Sequence, residues 1–437
     1  MRPLPASELA QRMGAQNHAG EATITGFATD SSAVQPGDLF IAIKGARVDG
    51  HDFAPQALAS GAVAALVERP VDGPHLQVSS VVDALASFGR SLRDEFSGPV
   101  VGLTGSAGKT TTKEFLAAAL SPLGPVVKTQ GNRNTEYTSP LLWVEVTGDT
   151  KAVVVELAMR GFGQIAHLAQ VSNPTVGLIT NIGYSHLLQV GDRAGIARAK
   201  GELLEALPED APCLLPADDD YLEELKRIAG QRPVLTFGFA KEADCRIESY
   251  RSLSLDHAEI TGHCRGETWN LTLPSAGRHL ATNASAAILA AHVLGVSSKQ
   301  AAAGIADAEL PPMRMETREQ NGATILLDAY NAAPPSVLAA LKTLIETPVQ
   351  GRRLAVLGEM RELGEATESA HRAVGAMAST LDDALFVGET APIMQEAAGK
   401  GQVGSLDDVR NLINGLRAGD VLLIKGSRAL ELEKALD

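Results

Sequence analysis

The segment VVGLTGSAGKTTTKEF combines the residue types that hold a phosphate group at a turn between a strand and a helix. Gly105 and Gly108 allow backbone N–H groups to turn inward around an anion. Lys109 supplies a positive charge for the terminal phosphates, and Thr110 offers a hydroxyl group that Mg²⁺ can bind. This chemistry predicts nucleotide binding, and the alternative is an ordinary glycine turn between two elements.

The spacing of this loop differs from the common phosphate-binding pattern G-x-x-x-x-G-K-[ST]. That pattern requires a glycine five residues before Gly108, where this sequence has Leu103. An apolar face on the following helix would pack on a sheet and direct the positive end of the helix dipole toward the phosphates. The residues of that face are Phe115, Leu116, Ala119 and Leu120.

Two further strand ends could add ligands to the same site. AVVVELAM places Glu156 at the end of an apolar run, where its carboxylate could reach a magnesium ion or form a structural salt bridge. PTVGLITNIGYSH ends a second run at Asn181 and brings His186 into the next loop, where a single histidine is often structural. Both alternatives stay open for Glu156 and for His186.

A lysine also lies within an apolar stripe. In RAGIARAKGELLEAL, Lys200 shares one helical face with Ile196, Leu203 and Leu207. A charged amine is unfavourable there, so the side chain either extends to the surface or stays neutral or modified. Carbamylation by CO₂ would turn the amine into an oxygen ligand for a second Mg²⁺.

Composition indicates a multidomain globular protein. The chain has 437 residues, of which 45% are hydrophobic, and its formal net charge of -14 disfavours nucleic-acid binding. The three cysteines lack metal-ligand spacing and are odd in number, which argues against a zinc site and a disulfide framework. The sequence has no long apolar segment, which argues against a membrane span. We expect a cytoplasmic protein. The acidic run from Asp218 to Asp220 could bind a cation or, more simply, favour the start of a helix.

Strand-length apolar runs alternate with helical patterns along the chain, which predicts an α/β protein. We expect a small α/β domain at residues 1–96, a central nucleotide-binding domain at 97–310 and a third α/β domain at 311–437. The central sheet should be mostly parallel, with an antiparallel β insert between residues 243 and 274, where polar and apolar residues interleave. Pro311, followed by a second proline, cannot lie inside a helix and marks the last boundary.

The altered loop spacing occurs in two families of nucleotide-binding proteins. ATPases that regulate partitioning and division sites carry a signature lysine where this chain has Thr104. The sequence from Thr104 to Thr111 instead resembles the T-G-x-x-G-K-T-T loop of the Mur ligase family. The nucleotide-binding residues implied by this resemblance are Gly105, Ser106, Ala107, Gly108, Lys109, Thr110 and Thr111.

The same resemblance suggests metal ligands. In Mur ligases an A-K pair follows a histidine loop, and Ala199-Lys200 follows His186 here. By resemblance, Thr110 and Glu156 hold one magnesium ion. His186 and carbamylated Lys200 hold the second.

Further landmarks of the family lie in the last third of the chain. GRHLATNASAA resembles the segment near the adenine, with His279 and Asn283 matching and Leu280 replacing an asparagine. PPMRME and LLDAYNAAP resemble segments that bind phosphates and ribose, in a Rossmann-like third domain that closes on the ATP. The residues implied are Arg314, Asp328, Tyr330 and Asn331.

Other motifs indicate a branch of the family. D-x-Y-N-A-x-P, L-G-E-M-x-E-L-G and K-G-S-R resemble the Mur ligases that add D-alanyl-D-alanine, and TDSSAVQPGDLFIAIKG resembles their uridine-nucleotide-binding module. The implied substrates are UDP-N-acetylmuramoyl-tripeptide and D-alanyl-D-alanine. The implied substrate-binding residues are Ser31, Ser32, Lys44, Gly45, Asn132, Asn134 and Glu136. Positions that depart from the family pattern are Thr135, Thr138, Ala158, Leu188 and Leu280.

The resemblance implies an ATP-dependent amide ligase that activates a peptide carboxylate as an acyl phosphate, and we expect a monomer. Two alternatives remain. One is a related ligase that adds a diamino acid, or glutamate to folate, and the other is a nucleotide-switched binding protein that forms no amide. The residues expected to act in catalysis are Lys109, His186, Lys200 and Arg314.

Overall fold

The structure is a computed structural model that describes residues 2–45, 48–184 and 187–436. Three main β-sheets follow one another along the chain, and helices cover them. Each sheet draws its strands from one continuous part of the sequence. The predicted three-domain α/β fold is therefore confirmed.

The first part of the chain forms a five-stranded sheet in the order β2-β7-β6-β5-β4 and a small β1-β3 ladder. Its strands are β1 (Leu4–Pro5), β2 (Gln16–Asn17), β3 (Thr23–Ile24), β4 (Gly26–Ala28), β5 (Asp38–Ile41), β6 (Ala64–Val67) and β7 (His75–Gln77). Its helices are α1 (Ala6–Met13), α2 (Ala54–Ala59) and α3 (Val81–Arg93). Strands β4 to β7 are parallel, and β2 runs antiparallel to β7.

The middle part forms a nine-stranded sheet in the order β16-β15-β14-β13-β12-β11-β8-β10-β9. Its strands are β8 (Val100–Thr104), β9 (Val126–Lys128), β10 (Ala152–Glu156), β11 (Val176–Ile179), β12 (Cys213–Pro216), β13 (Val234–Gly238), β14 (Cys245–Ser252), β15 (Ala258–Cys264) and β16 (Glu267–Leu273). Its helices are α4 (Lys109–Leu120), α5 (Gln164–Ser172), α6 (Leu187–Val190), α7 (Arg193–Glu205), α8 (Leu222–Ala229), α9 (Arg278–Val293) and α10 (Ser298–Ala306).

The expected antiparallel segment is present, and it continues the central sheet. Strand β14 pairs in parallel with β13, and then antiparallel with β15, which pairs antiparallel with β16. Side chains along β15 and β16 alternate between buried and exposed, because one face packs on helices and the other meets solvent. The interleaved sequence pattern reflects this half-buried position.

The last part forms a six-stranded sheet in the order β17-β18-β22-β19-β20-β21, with only β17 antiparallel among the described strands. Its strands are β17 (Glu316–Gln320), β18 (Ala323–Leu327), β19 (Arg353–Gly358), β20 (Asp383–Val387), β21 (Gln402–Gly404) and β22 (Val421–Lys425). Its helices are α11 (Pro334–Glu346), α12 (Thr367–Ala378), α13 (Ala391–Ala398) and α14 (Leu406–Asn414). Within the described ranges, no helix is both long enough and apolar enough to cross a membrane.

The sheet register brings the carboxyl ends of three strands to one edge. Strand β8 lies between β10 and β11, and all three run parallel. Glu156 at the end of β10 aligns with Leu103 of β8, and Ile179 at the end of β11 aligns with Thr104. Strands β8, β10 and β11 are buried along their whole lengths, so only the residues at and beyond their carboxyl ends can reach a ligand.

Candidate active site

The loop between β8 and α4 requires glycine at two positions. Gly105 has φ 157°, and a Cβ there would lie 1.8 Å from Thr180 Oγ1. Gly108 has φ 79°, and a Cβ there would lie 2.8 Å from Asn283 Oδ1. Helix α4 then begins at Lys109 without a side-chain cap from any described residue. Its first N–H groups are therefore available to bind an anion.

Asn181, beyond the end of β11, holds this loop in place. Its Oδ1 accepts a hydrogen bond from the Ala107 N–H (3.0 Å), and its Nδ2 donates to the Ala107 carbonyl oxygen (2.9 Å). The N–H of Ser106 donates to the Asn181 carbonyl oxygen (3.0 Å), and the Ser106 hydroxyl accepts from the N–H of Gly183 (2.8 Å). Because these bonds fix the loop, its N–H groups need little reorganisation to meet a phosphate.

Lys109 lies among charged residues from two sheets. Its Nζ donates to the Gly105 carbonyl oxygen at 2.8 Å. Burial lowers the pKa of Lys109, while the nearby Glu156 raises it and Arg314 lowers it further. The Arg314 guanidinium stacks on the ring of Tyr330, 4.3 Å from its centroid. Arg314, from the segment before β17, is thus close enough to the phosphate loop for its charge to act on Lys109.

Glu156 has the features of a cation ligand. It is only 2% exposed, and its Oε1 accepts a hydrogen bond from Asn134 Nδ2 at 2.8 Å. Its Oε2 is buried and has no hydrogen-bond partner among the described residues. The nearest ion-pair partner of that oxygen is Lys113, whose Nζ lies 3.7 Å away. A buried carboxylate oxygen without a hydrogen bond costs free energy that a bound cation would recover.

Lys200 does not extend to the surface, so that alternative is wrong. The residue is 2% exposed and lies within the apolar cluster around α7. Burial lowers its pKa well below the usual value, and the charge on Lys109 lowers it further. A buried neutral amine is the form of lysine that reacts with CO₂, so the residue suits the predicted carbamate.

A second polar cluster lies at the ends of β18 and β22. Lys425 Nζ donates to Asp328 Oδ2 (2.5 Å) and to the Asn331 carbonyl oxygen (3.1 Å). His279, at the start of α9, lies close enough to Asp328 and Lys425 for both charges to shift its pKa. Burial lowers the pKa of His279 to about 4, with Asp328 raising it and Lys425 lowering it. The imidazole is therefore neutral at physiological pH.

The residues predicted to bind the uridine nucleotide share one edge of the first sheet. Ser31 and Ser32 follow β4, and Lys44 and Gly45 follow the parallel neighbour β5. The N–H and hydroxyl of Ser32 both bond to Asp30 Oδ1, at 2.9 and 2.7 Å.

Of the residues predicted to bind peptide, Asn132 is exposed and Glu136 is partly exposed. The Asn134 side-chain amide donates to Glu156, and the backbone carbonyl oxygen of Asn134 accepts from the Ala158 N–H at 3.2 Å. Asn134 therefore lies next to the Glu156 carboxylate at the end of β10.

Some positions that depart from the family pattern have structural roles. Leu280 is 3% exposed and packs in the core between the second and third sheets. The hydroxyls of Thr135 and Thr138 lie 3.1 Å apart and share a hydrogen bond. His186 and the side chain of Leu188 lie outside the described residues.

The acidic run lies directly before α8, where Asp219 accepts a hydrogen bond from the N–H of Tyr221 (2.9 Å), and it also binds backbone groups of other loops. Asp218 accepts from the N–H of Phe239 (2.7 Å), and Asp219 accepts from the N–H of Ile182 (2.8 Å). Asp220 pairs with an arginine of α7. These residues precede α8 rather than forming its first turn. In the described part of the chain, no cluster of three or more histidine, cysteine or acidic side chains is arranged to hold a metal ion.

Three family models match this chain in succession. They are the catalytic domain of the Mur ligase family at residues 23–88, the Mur ligase middle domain at 103–291 and the Mur ligase glutamate ligase domain at 313–428. A UDP-N-acetylmuramoyl-tripeptide–D-alanyl-D-alanine ligase of Synechocystis is 38% identical over 428 residues, covering 94% of this chain and 90% of that protein. The chain belongs to the Mur ligase family.

Solved structures of other Mur ligases have the same fold. Crystal structure I of MurF from Acinetobacter baumannii matches with a TM-score of 0.91 and 31% identity, covering 100% of this chain and 98% of that chain. MurF from Thermotoga maritima in complex with ADP matches with a TM-score of 0.83 and 32% identity, covering 94% of this chain and 96% of that chain. The folylpolyglutamate synthase of Mycobacterium tuberculosis, at 17% identity and a TM-score of 0.63, shares the fold alone.

Three residues of this Mur ligase site escaped sequence reasoning. Lys113 lies one helical turn after Lys109 on the buried side of α4, and the argument that singled out Lys200 applies equally to it. Asn181 was noticed only as a strand end, although its side chain organises the loop. Lys425 was noticed only as part of K-G-S-R, because its partner Asp328 lies 97 positions away in sequence.

Proposed function

We propose that this Mur ligase uses ATP to join D-alanyl-D-alanine to UDP-N-acetylmuramoyl-tripeptide. The observation that carries the proposal is the convergence of Lys109, Glu156, Lys200 and Arg314 around one phosphate-binding loop. Relatives of this specificity share 33–38% identity with the chain over nearly its full length, including those of Bacillus subtilis and Escherichia coli. An ADP complex of one structural relative supports ATP as the nucleotide.

The chemistry begins with a carboxylate that is a poor electrophile. Its oxygen attacks the γ-phosphorus of ATP, ADP leaves, and the resulting acyl phosphate carries a good leaving group. The dipeptide amine then attacks the acyl carbon, and phosphate departs to leave the amide. Transfer between two anions requires neutralising charge, which Lys109, Arg314 and the N-terminus of α4 supply in this chain.

Magnesium fits the residues present, because Glu156 offers a buried carboxylate oxygen without a hydrogen bond. Thr110 and Glu156 would hold one ion, and carbamylated Lys200, with His186, a second. When bound, the ions would neutralise charge on the transferring phosphoryl group. Asn134 fixes the other oxygen of Glu156, so the carboxylate keeps one orientation.

The nucleoside part of ATP would lie between the second and third sheets. Asp328 would accept hydrogen bonds from the ribose hydroxyls, with Tyr330 and Asn331 beside it. His279 and Asn283 would lie near the adenine, and the contact between Asn283 and Gly108 links that region to the phosphate loop. The neutral imidazole of His279 suits contact with an uncharged base.

The remaining assignments are predictions that the fold supports. We propose domains at residues 1–96, 97–310 and 311–437, since the strands of each main sheet fall inside one of these ranges. Ser31, Ser32, Lys44 and Gly45 are proposed to bind the uridine nucleotide, and Asn132, Asn134 and Glu136 the peptide. A cytoplasmic location, a monomeric state and the absence of nucleic-acid binding also stay predictions.

The decisive experiment measures ADP release with ATP, Mg²⁺ and UDP-N-acetylmuramoyl-tripeptide, with and without D-alanyl-D-alanine, and follows product mass. We expect release to require both substrates and to give the pentapeptide. Replacing the dipeptide by a free diamino acid, or the nucleotide peptide by a folate, should give no product. Slow ADP release that is indifferent to every acceptor would instead indicate a nucleotide-switched binding protein.

A further inference from the structure

A second lysine is buried beside the proposed magnesium carboxylate. Lys113 is fully buried on α4, and its Nζ donates to the Gly131 carbonyl oxygen at 3.0 Å. The same ammonium lies 3.7 Å from Glu156 Oε2 and 3.5 Å from Glu114 Oε1. It therefore faces the one oxygen of Glu156 that has no hydrogen bond among the described residues.

The charges around Glu156 are predominantly positive. Lys109 and Arg314 lie on the phosphate side, and Lys113 lies at the carboxylate itself. Glu114 compensates little, because its other oxygen pairs with Lys128. A free divalent cation would have to bind among these positive charges, with only the Glu156 carboxylate to attract it. The phosphates of a nucleotide, in contrast, bring several negative charges to the same place.

We propose that Lys113 prevents a free divalent cation from binding at Glu156, so that the metal enters only together with a nucleotide. This inference rests on the magnesium site in the proposed function. Lys113 acts as a positioning residue through charge, and it need not touch the substrate. Since its Nζ lies 3.7 Å from the oxygen that would bind the cation, repulsion should weaken free-cation binding about tenfold or more, even with the dielectric constant of water.

The roles of charge and packing can be separated with two variants. Lys113→Met removes both the charge and the hydrogen bond to Gly131, whereas Lys113→Gln removes the charge and keeps a donor. Mn²⁺ serves as the probe, because its free fraction can be measured by electron paramagnetic resonance without turnover. Each protein is titrated with MnCl₂ alone and again with ADP present.

We expect both Lys113 variants to bind Mn²⁺ in the absence of nucleotide at least about ten times more tightly than the unchanged protein. With ADP present, the unchanged protein and both variants should bind Mn²⁺ more tightly than without it, because the phosphates add negative charge at the site. Lys434→Met is the matched control, because Lys434 forms a surface ion pair with Glu431 and is not among the ion-pair partners of Glu114 or Glu156. It should change the Mn²⁺ affinity less than about twofold.

Two outcomes would overturn the inference. If neither Lys113 variant binds free Mn²⁺ more tightly, the lysine does not exclude the cation. If Lys113→Met changes the affinity and Lys113→Gln does not, the hydrogen bond to Gly131 matters and the charge does not. Glu156→Gln tests the metal site itself, separately from the role of Lys113. If this variant binds Mn²⁺ in the presence of ADP as tightly as the unchanged protein does, the metal lies elsewhere.

Discussion

Lys425 holds the carboxylate of Asp328, with Nζ and Oδ2 2.5 Å apart at the ends of two parallel neighbouring strands. Lys425 is almost fully buried, and Asp328 is largely buried. Two further carbonyl oxygens, of Asp328 and Asn331, accept from the same ammonium. The carboxylate proposed to bind ribose is therefore oriented by the protein before any hydroxyl group reaches it.

Lys425→Met should weaken ATP binding. Breaking a buried ion pair costs about 3–5 kcal/mol when the other charge remains buried. If about 1.4 kcal/mol of that cost is lost from the free energy of ATP binding, the KM for ATP rises about tenfold. The change in kcat should be smaller. Steady-state kinetics at saturating peptide substrate measure this. Lys434→Met, which removes a surface pair with Glu431, is the control and should leave the KM unchanged. An unchanged KM in Lys425→Met would contradict the ribose assignment.

Lys109→Ala should abolish ligation while the protein still binds its uridine-nucleotide substrate. The lysine neutralises charge on the transferring phosphoryl group, so its loss should lower kcat/KM for ATP by about 10³-fold or more. Calorimetric titration with the UDP-linked tripeptide should give a Kd within about twofold of the unchanged protein, because that site is proposed to lie on the first sheet. The exposed Lys151→Ala is the matched control for both measurements. Equal loss of both functions would mean that the variant has simply unfolded.

Lys200→Ala should lose activity that short carboxylic acids partly restore. Acetate or propionate would occupy the space of the missing carbamate and supply its oxygen atoms. With ¹³C-bicarbonate, the unchanged protein should show a carbamate signal in the NMR spectrum that Lys200→Ala lacks.

The pH dependence of this signal has a definite sign. The lowered pKa keeps the Lys200 amine neutral below the usual lysine range, and only the neutral amine forms a carbamate. The signal should therefore persist at pH values below the usual lysine range and disappear as the pH falls through the lowered pKa. If carboxylic acids do not restore activity and no carbamate signal appears at any pH, Lys200 stays unmodified.

His279 should make the protein less stable in mild acid. Above pH 6.5 the imidazole is neutral in both folded and unfolded chains and contributes nothing. Below that pH the unfolded chain gains a proton, but the folded chain does not until the pH approaches about 4. The unchanged protein should lose stability relative to His279→Gln across this interval. Thermal unfolding midpoints at several pH values measure the difference, and a constant difference would contradict the lowered pKa.

The fold followed from sequence because its strongest signals are local. Apolar runs such as AVVVE in β10 predicted strands that are buried on both faces, and their polar ends predicted a site at one edge. Parallel pairing then brings Gly105, Glu156 and Asn181 together without further information. The glycine requirement at 105 and 108 was likewise evident from the loop.

What sequence reasoning missed depends on contacts between distant segments. The ion pair between Lys425 and Asp328, and the bonds from Asn181 to Ala107, join positions that no local pattern connects. Lys113 differs, because helical spacing could have placed it on the buried side of α4, and only its contacts with Gly131 and Glu156 depend on distant segments. The bonds from the acidic run to Phe239 and Ile182 were missed for the same reason, since these partners lie in other loops.

The register of β8, β10 and β11 has a genetic consequence. Side chains such as Val153 and Leu178 touch no ligand, yet they fix how far each strand extends toward the edge where the polar groups meet. Displacement of a reacting group by about 1 Å can cost roughly a hundredfold in rate, whereas a small change in core volume often costs less than about 1.5 kcal/mol of stability. Screens for loss of activity should therefore recover conservative changes in these apolar strands, in protein that is still folded and abundant.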